Sequence, residues 1–549
     1  MKSFCRSEIS INVVWFCGIM VSRKVRMGKV AQELNGLIVG NVFDAPEVLE
    51  AYSVDQSILK ITPKAVALPE SVEDVRKLMQ FVYESDTKIS VTVRGTGYDE
   101  MGADLGEGII LSMEKLNQLL DIAPRERLVR VQAGMTLTEL NTMLLAHGLT
   151  IPVEGQGMET IGELIANCPT DICSGRDGNI MKYVRRMEVV LSNGEVVQTR
   201  WLGRRAVARK IASGSLEGEI YRSINDLLEK NEETLEKITR ENVSAAGYPR
   251  ITQVKRGSKM SLMPLFFGAD GTLGVVTEVI LKAVPKSGKS KRVVMTFREF
   301  HMAQKYLELM KNLKPMKLEI YDIGIIRVAE GTGKVLNGVT RGMKSGFVIF
   351  AKFDRRRRAS LKKVAKLGRG LPLSSQLVIE ENATRTMLDE FENSLASFIK
   401  SVRSGERPPI ATELYVPAWN LSSFINDVKL VESSLGVAMA VYGSYDASRY
   451  NIRPKFDVTD AKFAKRAEVF LNLVGFTLER QGGSVAGLPE GRVKAAVALE
   501  MMGEAEKKLY REIKTTFDAK NVLNPGAKMG ADEKCIAKYC RKEAGKIAI

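Results

Sequence analysis

Three glycine-bearing turns, far apart in the chain, concentrate the residues that could do chemistry. Arg94-Gly95-Thr96-Gly97 follows a short alternating apolar run. Glycines at such a turn let the backbone approach a ligand with no Cβ in the way. Successive backbone N–H groups can then cradle a pyrophosphate, and Arg94 adds positive charge. A dinucleotide loop of the Rossmann type would lead into a helix, whereas this one leads to Ile109 to Ser112, which reads as strand. Thr160-Ile161-Gly162-Glu163-Leu164-Ile165-Ala166 is a second glycine turn, entering a stretch of small residues. The third runs from Gly268 to Glu278, with Gly271, Thr272 and Gly274 feeding directly into the β-rich Val275 and Val276. One such turn is a weak signal; three of them make the case for a phosphate-bearing cofactor.

Other reactive residues are sparse. The 549 residues include only two histidines, His147 and His301. His147 is expected to cap or pack a helix end, and His301 to face solvent. A site of histidine metal ligands is therefore not available. The six cysteines fall in three local pairs, Cys5 with Cys17, Cys168 with Cys173 and Cys535 with Cys540, without a CxxC. That usage suggests reduced thiols in a cytoplasmic protein. The formal net charge of +16 favours anionic partners, but no nucleic-acid-binding signature accompanies it. The dense basic run Arg355 to Arg358 is a solvated surface on one reading and a contact for anionic lipid headgroups, peripheral to a membrane, on another.

The elements that must hold these turns alternate between strand and helix. Ala65 to Leu68 is a short buried strand stopped by Pro69. Ser71 then offers an N-cap, with Glu73 and Asp74 in the first turn of an amphipathic helix to Ser85. Ile89 to Val93, Ile109 to Ser112 and Leu128 to Gln132 read as strands, and Thr136 to His147 as a helix. Met187 to Thr199 is a hairpin about Asn193-Gly194. A helical region spans Leu216 to Arg240, and the strand Val275 to Val284 ends at Pro285. The polar joint Lys286 to Lys291 marks a domain boundary. Beyond it, strands at Arg292 to Thr296, Phe347 to Phe353, Ala411 to Val416 and Ala438 to Tyr442 alternate with helices at Ala303 to Leu313, Ala359 to Leu367 and Leu421 to Leu435. That pattern predicts an α+β sheet covered by helices on one face. A last helix, Glu504 to Phe517, precedes Asn521 to Gly526.

At the N-terminus, Ile11 to Val21 is apolar but too short to span a bilayer. Residues 1–36 are expected to be a leader, either disordered or with its first 26 residues upstream of a true start at Met27, and a short membrane-surface anchor is the alternative.

In these motifs the sequence resembles the FAD-binding oxidoreductases of the vanillyl-alcohol oxidase superfamily. Within them it is most similar to the group of D-lactate dehydrogenase, glycolate oxidase catalytic subunit and D-2-hydroxyglutarate dehydrogenase. The group's RGAGTG loop corresponds to Arg94 to Asp99, and its TIGG-x-IATNAGG segment to Thr160 to Asp171. Its Arg-x-Gly corresponds to Arg176 and Gly178, its AGY to Ala246-Gly247-Tyr248, and its GSEGTLGIITE to Gly268 to Glu278. Its closing LNPGK corresponds to Leu523 to Lys528, with an extra Ala527. The resemblance implies an α+β fold: a two-part FAD-binding domain over residues 37–285, a cap domain over 286–503, and a C-terminal segment, 504–530, that returns to the flavin domain before a tail. It implies FAD held by Arg94, Gly95, Thr96, Gly97, Tyr98, Asp99, Thr160, Ile161, Gly162, Ile165, Ala166, Gly178, Gly271, Thr272, Gly274, Val275, Val276 and Asn524. Relatives that attach flavin covalently often use a histidine where Tyr98 stands, so non-covalent FAD is expected.

Two departures bear on function. Glu163 replaces the second glycine of TIGG, and Asn167-Cys168-Pro169-Thr170-Asp171 replaces its TNAGG end. In the catalytic centre the group carries two metal-binding histidines in GHAGDGNLH, and a glutamate ligand and histidine base in GEHG. Ser444 and Asn451 stand for the first pair, and Gly487-Leu488-Pro489-Glu490-Gly491 for the second motif. The metal site is thus expected to be lost. Tyr442, Asp446, Arg449, Tyr450, Glu490 and Arg492 are the candidates to replace it, with Arg449 to hold a substrate carboxylate and Glu490 as base. The expected activity is oxidation of a small 2-hydroxy acid or other alcohol by hydride transfer to flavin. The electron acceptor is a quinone, cytochrome, partner flavoprotein or oxygen. The alternative is a degenerate flavoprotein or a non-catalytic subunit of an oxidase complex.

Overall fold

In the computed structural model the chain builds two sheets for the glycine turns and a third, larger one beside them. The structure describes residues 28–153, 158–168, 180–241, 247–286, 290–331, 340, 343–354, 358–371, 375–380, 385, 387–389, 391–392, 407–485 and 490–541. The leader to residue 27, the run Arg355 to Arg357, Cys5, Cys17, Cys173, Arg176 and Gly178 lie outside them.

The first sheet orders its strands Asn41–Phe43, Ala65–Leu68, Ile109–Ser112 and Val91–Arg94. The last three run parallel, and the helix Val72–Glu84 supplies the crossover. Ser71 caps that helix, its hydroxyl accepting from Asp74 N at 3.1 Å. Asp74 is buried, and its carboxylate accepts from Val39 N, Gly40 N and Glu70 N, which satisfies it where an unpaired acid would be costly. The second sheet is antiparallel, in the order Leu119–Ala123, Leu128–Gln132, Val275–Lys282, Val184–Val190, Val196–Thr199. Its central strand alternates buried and half-buried residues along its length, the period of two expected of a sheet with one core face. Asn231 divides the helical region after Leu216 in two, Leu216–Lys230 and Glu232–Glu241. Its side chain bonds Leu227 O at 2.9 Å, the local competition with backbone that makes asparagine a helix stop.

The third sheet has seven antiparallel strands, in the order Gln376–Ile379, Ser290–Phe297, Phe347–Asp354, Lys317–Asp322, Met439–Ser444, Arg449–Pro454, Ala411–Tyr415. One face packs on the helices Phe300–Lys311 and Leu421–Leu435 through Val293, Met295, Ile349, Leu307 and Phe424. The expectation that helices cover one face alone is corrected on the other. There the helix Ile323–Gly331 covers Val294, Val348, Phe350 and Ala440 with Ile325 and Ile326, and the remainder of that face meets the half that carries the glycine turns. The reason lies in the strands Ser290–Phe297 and Phe347–Asp354, which place apolar residues such as Val293 and Val294 or Ile349 and Phe350 on both faces and must bury both.

After the helix Glu504–Phe517, Val522 and Leu523 join the core of the first sheet. Val91 N donates to Val522 O at 2.7 Å and Asn524 N to Val91 O at 2.8 Å. Among the described residues no helix is long and apolar enough to cross a membrane. Cys535 and Cys540 are free thiols. His301 is exposed as expected, and so is His147, which neither packs nor caps through its ring.

Candidate functional site

The three glycine turns converge between the first two sheets. Gly95, Thr160, Gly162, Ala166, Gly271, Gly274 and Val276 line one cavity, joined by Glu163, Asp104 and Asp270. Gly97 and Gly271 adopt φ of 78° and 68°, a region open to glycine and strained for other residues. Other expected cofactor residues stand behind this lining. The Arg94 guanidinium lies over the Tyr52 ring and beneath the Gly97 turn. Tyr98 is half-buried. Asp99 accepts from Met101 N and Ala103 N at 2.8 Å each and from Asn167 Nδ2 at 3.1 Å. Ile161, Ile165 and Val275 are core residues, and Ile161 N and Gly162 N bond Met135 O and Ala133 O. Thr272 Oγ1 bonds Ala269 O and the Tyr248 hydroxyl.

Asn524 acts as a knot. Its Nδ2 donates to Ala103 O at 2.9 Å and Asp270 O at 2.7 Å, and its Oδ1 accepts from Arg492 and Thr92. Its side chain thus ties both loops and the C-terminal return to one point.

Glu163 occupies the turn itself. Its Oε1 accepts from Gly97 N at 3.1 Å, and its Oε2 from the Thr96 hydroxyl at 3.0 Å and Thr160 N at 2.8 Å. Burial pushes this carboxyl up, while the bonds from Thr160, Thr96 and Gly97 hold it down. Asp99 and Asp104 are raised further, by burial and by neighbouring acids. The open space is about 40 Å³, room for roughly two or three waters. The backbone of this cradle suits a diphosphate; the carboxylate now lying in it does not.

A second cluster lies where the seven-stranded sheet faces the flavin half. Side chains alternate along Arg449–Pro454. Tyr450 and Ile452 enter the helix-side core, while Arg449, Asn451 and Arg453 point the other way. Arg453 crosses to the flavin half, its Nη2 reaching both Glu100 carboxylate oxygens at 3.1 Å. Ser444 pairs with Arg449 and Tyr442 with Asn451 across the strands, so the two positions expected to have lost histidines share that face. Asn451 Oδ1 accepts from Glu413 N at 3.1 Å.

Glu413 was not legible as a candidate. It sits at a bulge between Ala411 and Leu414 with φ of 52°, and bulges re-aim side chains beside active sites. Among the described residues its buried Oε2 has no hydrogen-bond partner, and burial pushes its carboxyl up to about 7, against the pull of Arg449 and Lys494. Arg449 is half-buried as a residue, yet its Nε and Nη1 are sealed from solvent without partners. Its guanidinium stacks on Tyr415, 5.0 Å from the ring centroid. Burial lowers its pKa, Glu413 opposing and Arg250 adding to the effect. Arg250, also unforeseen, reaches the sulfurs of Met181 and Cys168, and its buried Nε has no partner among the described residues. Lys494 donates to Thr412 O at 2.7 Å, and burial brings it down to about 8. The other sequence candidates separate from this group. Arg492 spends its donors on Leu105 O, Pro525 O and Asn524. Asp446 and Tyr450 lie on the helix side. Glu490 is buried against Lys528 Nζ at 2.5 Å and accepts from Gly247 N at 3.0 Å.

Residues 63–200 match the FAD binding domain, and residues 287–527 the C-terminal domain of FAD linked oxidases. The chain thus joins an FAD binding domain to the C-terminal domain of FAD linked oxidases. FAD is the cofactor of that binding domain. The chain is 25% identical over 501 residues to D-2-hydroxyglutarate dehydrogenase of Pseudomonas putida, covering 86% of this chain and 49% of the relative. It therefore spans about half the length of that relative. It is 23% identical to D-lactate dehydrogenase of Anaerostipes hadrus over 87% of this chain and 93% of the relative. It is 22% identical to glycolate oxidase subunit GlcD of Bacillus subtilis, over 86% and 90%. Among solved structures, p-cresol methylhydroxylase superposes with a TM-score of 0.68 at 16% identity, over 92% of this chain and 96% of that one. The architecture is thus the vanillyl-alcohol-oxidase type.

Proposed function

We propose that this chain oxidises a small 2-hydroxy acid at the face of the seven-stranded sheet, without a metal ion. The observation that carries the reading is the pair of unsatisfied, oppositely charged groups there. Among the described residues, Arg449 has enclosed N–H donors with no partner, and Glu413 an enclosed carboxylate oxygen with none. Buried polar atoms are seldom left unpaired; a hydroxy acid would satisfy both. Its carboxylate takes the Arg449 donors, with Arg250 adding charge, and its hydroxyl donates to Glu413. A base titrating near neutrality suits removal of that hydroxyl proton. FAD, when bound, supplies the hydride acceptor. Lys494 keeps the ionised Glu413 favourable by charge. Glu490, engaged by Lys528 and Gly247, serves the scaffold in this reading. The names of the relatives, which concern D-2-hydroxyglutarate, D-lactate and glycolate, support the substrate class.

The test is an anaerobic spectrum of flavin-loaded protein titrated with D-lactate, glycolate and D-2-hydroxyglutarate in the presence of EDTA. Bleaching by one of them, lost in Arg449→Met and slowed in Glu413→Gln, is the expected result. Flavin that no hydroxy acid bleaches would discard this substrate class and leave the degenerate flavoprotein standing.

A further inference from the structure

Glu163 stands where a cofactor's phosphates would find their donors. The Gly97 N–H and the Thr96 hydroxyl both point at its carboxylate, and a Cβ added to Gly95 would run into it. The side chain is buried, at 6% exposure for the residue. Asp104, whose Oδ2 is buried without a partner, lines the same cavity.

Local helix capping explains only part of this geometry. Thr160 and Glu163 form a reciprocal capping box, as Thr136 and Glu139 do one helix earlier. Capping uses the bond from Thr160 N to Oε2. It does not require Oε1 to reach across 66 residues of chain to Gly97 N. Glu139 makes the local bonds at an exposed site and contacts no glycine turn.

We infer that Glu163 is an internal stand-in for the cofactor's diphosphate: its carboxylate and the phosphates compete for the Gly97 and Thr96 donors. FAD enters only by displacing the carboxylate, so its affinity for this chain is weakened through its phosphates and not through its ring. Charge-assisted hydrogen bonds of this kind are about twice as strong as neutral ones, which sets the scale of the competition. The inference rests on the flavin reading of the loops and is independent of the substrate.

The experiment titrates apo-protein with FAD and, separately, with riboflavin, which carries no phosphate, following flavin fluorescence. Wild type, Glu163→Gln, Glu163→Gly and the control Glu139→Gln are compared. Glu163→Gln keeps the shape and the capping acceptor, so it remains informative if the glycine variant folds poorly. The expected result is FAD binding tightened by about tenfold or more in the Glu163 variants, with riboflavin affinity and the Glu139→Gln protein unchanged. FAD affinity equal in wild type and both Glu163 variants, or an equal gain for riboflavin, overturns the inference. Tightened FAD that no hydroxy acid reduces would leave the inference standing and remove the substrate reading; reduction by substrate without tightened binding would do the reverse.

Discussion

Replacing Lys528 by methionine removes the cation from a buried junction of three chain segments. Lys528 Nζ lies 2.5 Å from Glu490 Oε2, 3.1 Å from Gly247 O and 4.0 Å from Asp270 Oδ2, with the lysine only 1% exposed. Without it, two buried carboxylates face each other, with Lys494 as a more distant counter-charge. Breaking one side of a buried pair costs about 3–5 kcal/mol. For a cooperative unit of domain size, at about 2–4 °C per kcal/mol, the melting temperature at pH 8 should fall by about 6–20 °C. The sign of the pH effect follows from Asp270, whose carboxyl burial already pushes up to about 6 with Lys528 opposing. In the variant Asp270 holds its proton to higher pH than in the unfolded chain. The penalty is therefore full above the folded value of Asp270 and recedes as pH falls toward 5, by up to about 1.4 kcal/mol per pH unit for the proton taken up. Calorimetry at pH 5 and pH 8 measures both terms. Lys528→Met with Glu490→Leu should recover most of the loss, since an apolar replacement of the whole pair is often neutral. A melting temperature within about 2 °C of wild type at pH 8, or an equal deficit at both pH values, would refute the reasoning.

Further outcomes follow from other buried groups. Asp322 accepts from Gly324 N at 2.6 Å, and burial pushes its carboxyl up to about 6 from 3.8. Its charged form burdens the fold above pH 6, so Asp322→Asn should stabilise by about 2–3 kcal/mol at pH 8 and by almost nothing at pH 4, read by thermal melts. Asn524→Leu would strand Ala103 O, Asp270 O and a donor of Arg492 at a residue with φ of 41°; a loss of about 3 kcal/mol or more is expected in denaturant unfolding. If Glu413 takes the hydroxyl proton, kcat/KM rises with pH through about 7, and Glu413→Gln removes that limb from the profile while flavin binding stays intact.

Elements whose signals are local were legible in the sequence. The helices Leu421–Leu435 and Glu504–Phe517 carry strong apolar periodicity, and Asn193-Gly194 marks its hairpin with Gly194 at φ of 87°. The strands Lys317–Asp322 and Arg449–Pro454 were not read: polar and apolar residues alternate in both, but most of their polar positions are charged, and what buries those charges is a tertiary partner such as Glu100 for Arg453. Phe463–Arg480 was missed although it is the longest of the described helices. It begins without a side-chain cap, and its first turns mix lysine and arginine with apolar residues. At the site, the glycine turns were visible because glycine reports a backbone requirement directly. Glu413 was not, because a bulge is a property of two strands and the partner strand comes much later in the chain, with Tyr450 opposite Leu414 in the observed register. Glu163 was recognised as out of place from its charge, but its reach to Gly97 is a tertiary fact.

The C-terminal return also sets a timetable. Thr92 and Asn524 meet across 432 residues of chain, and Val522 and Leu523 complete the core against which Val91 packs. During synthesis at about 5–20 residues per second, the first sheet waits roughly 20–90 s for its last core residues to emerge. Throughout that interval the edge at Val91 and the apolar floor beneath it are open. The flavin half, first to be made, is thus among the last to close, and a nascent chain of this protein presents a long-lived adhesive surface that a chaperone must mask.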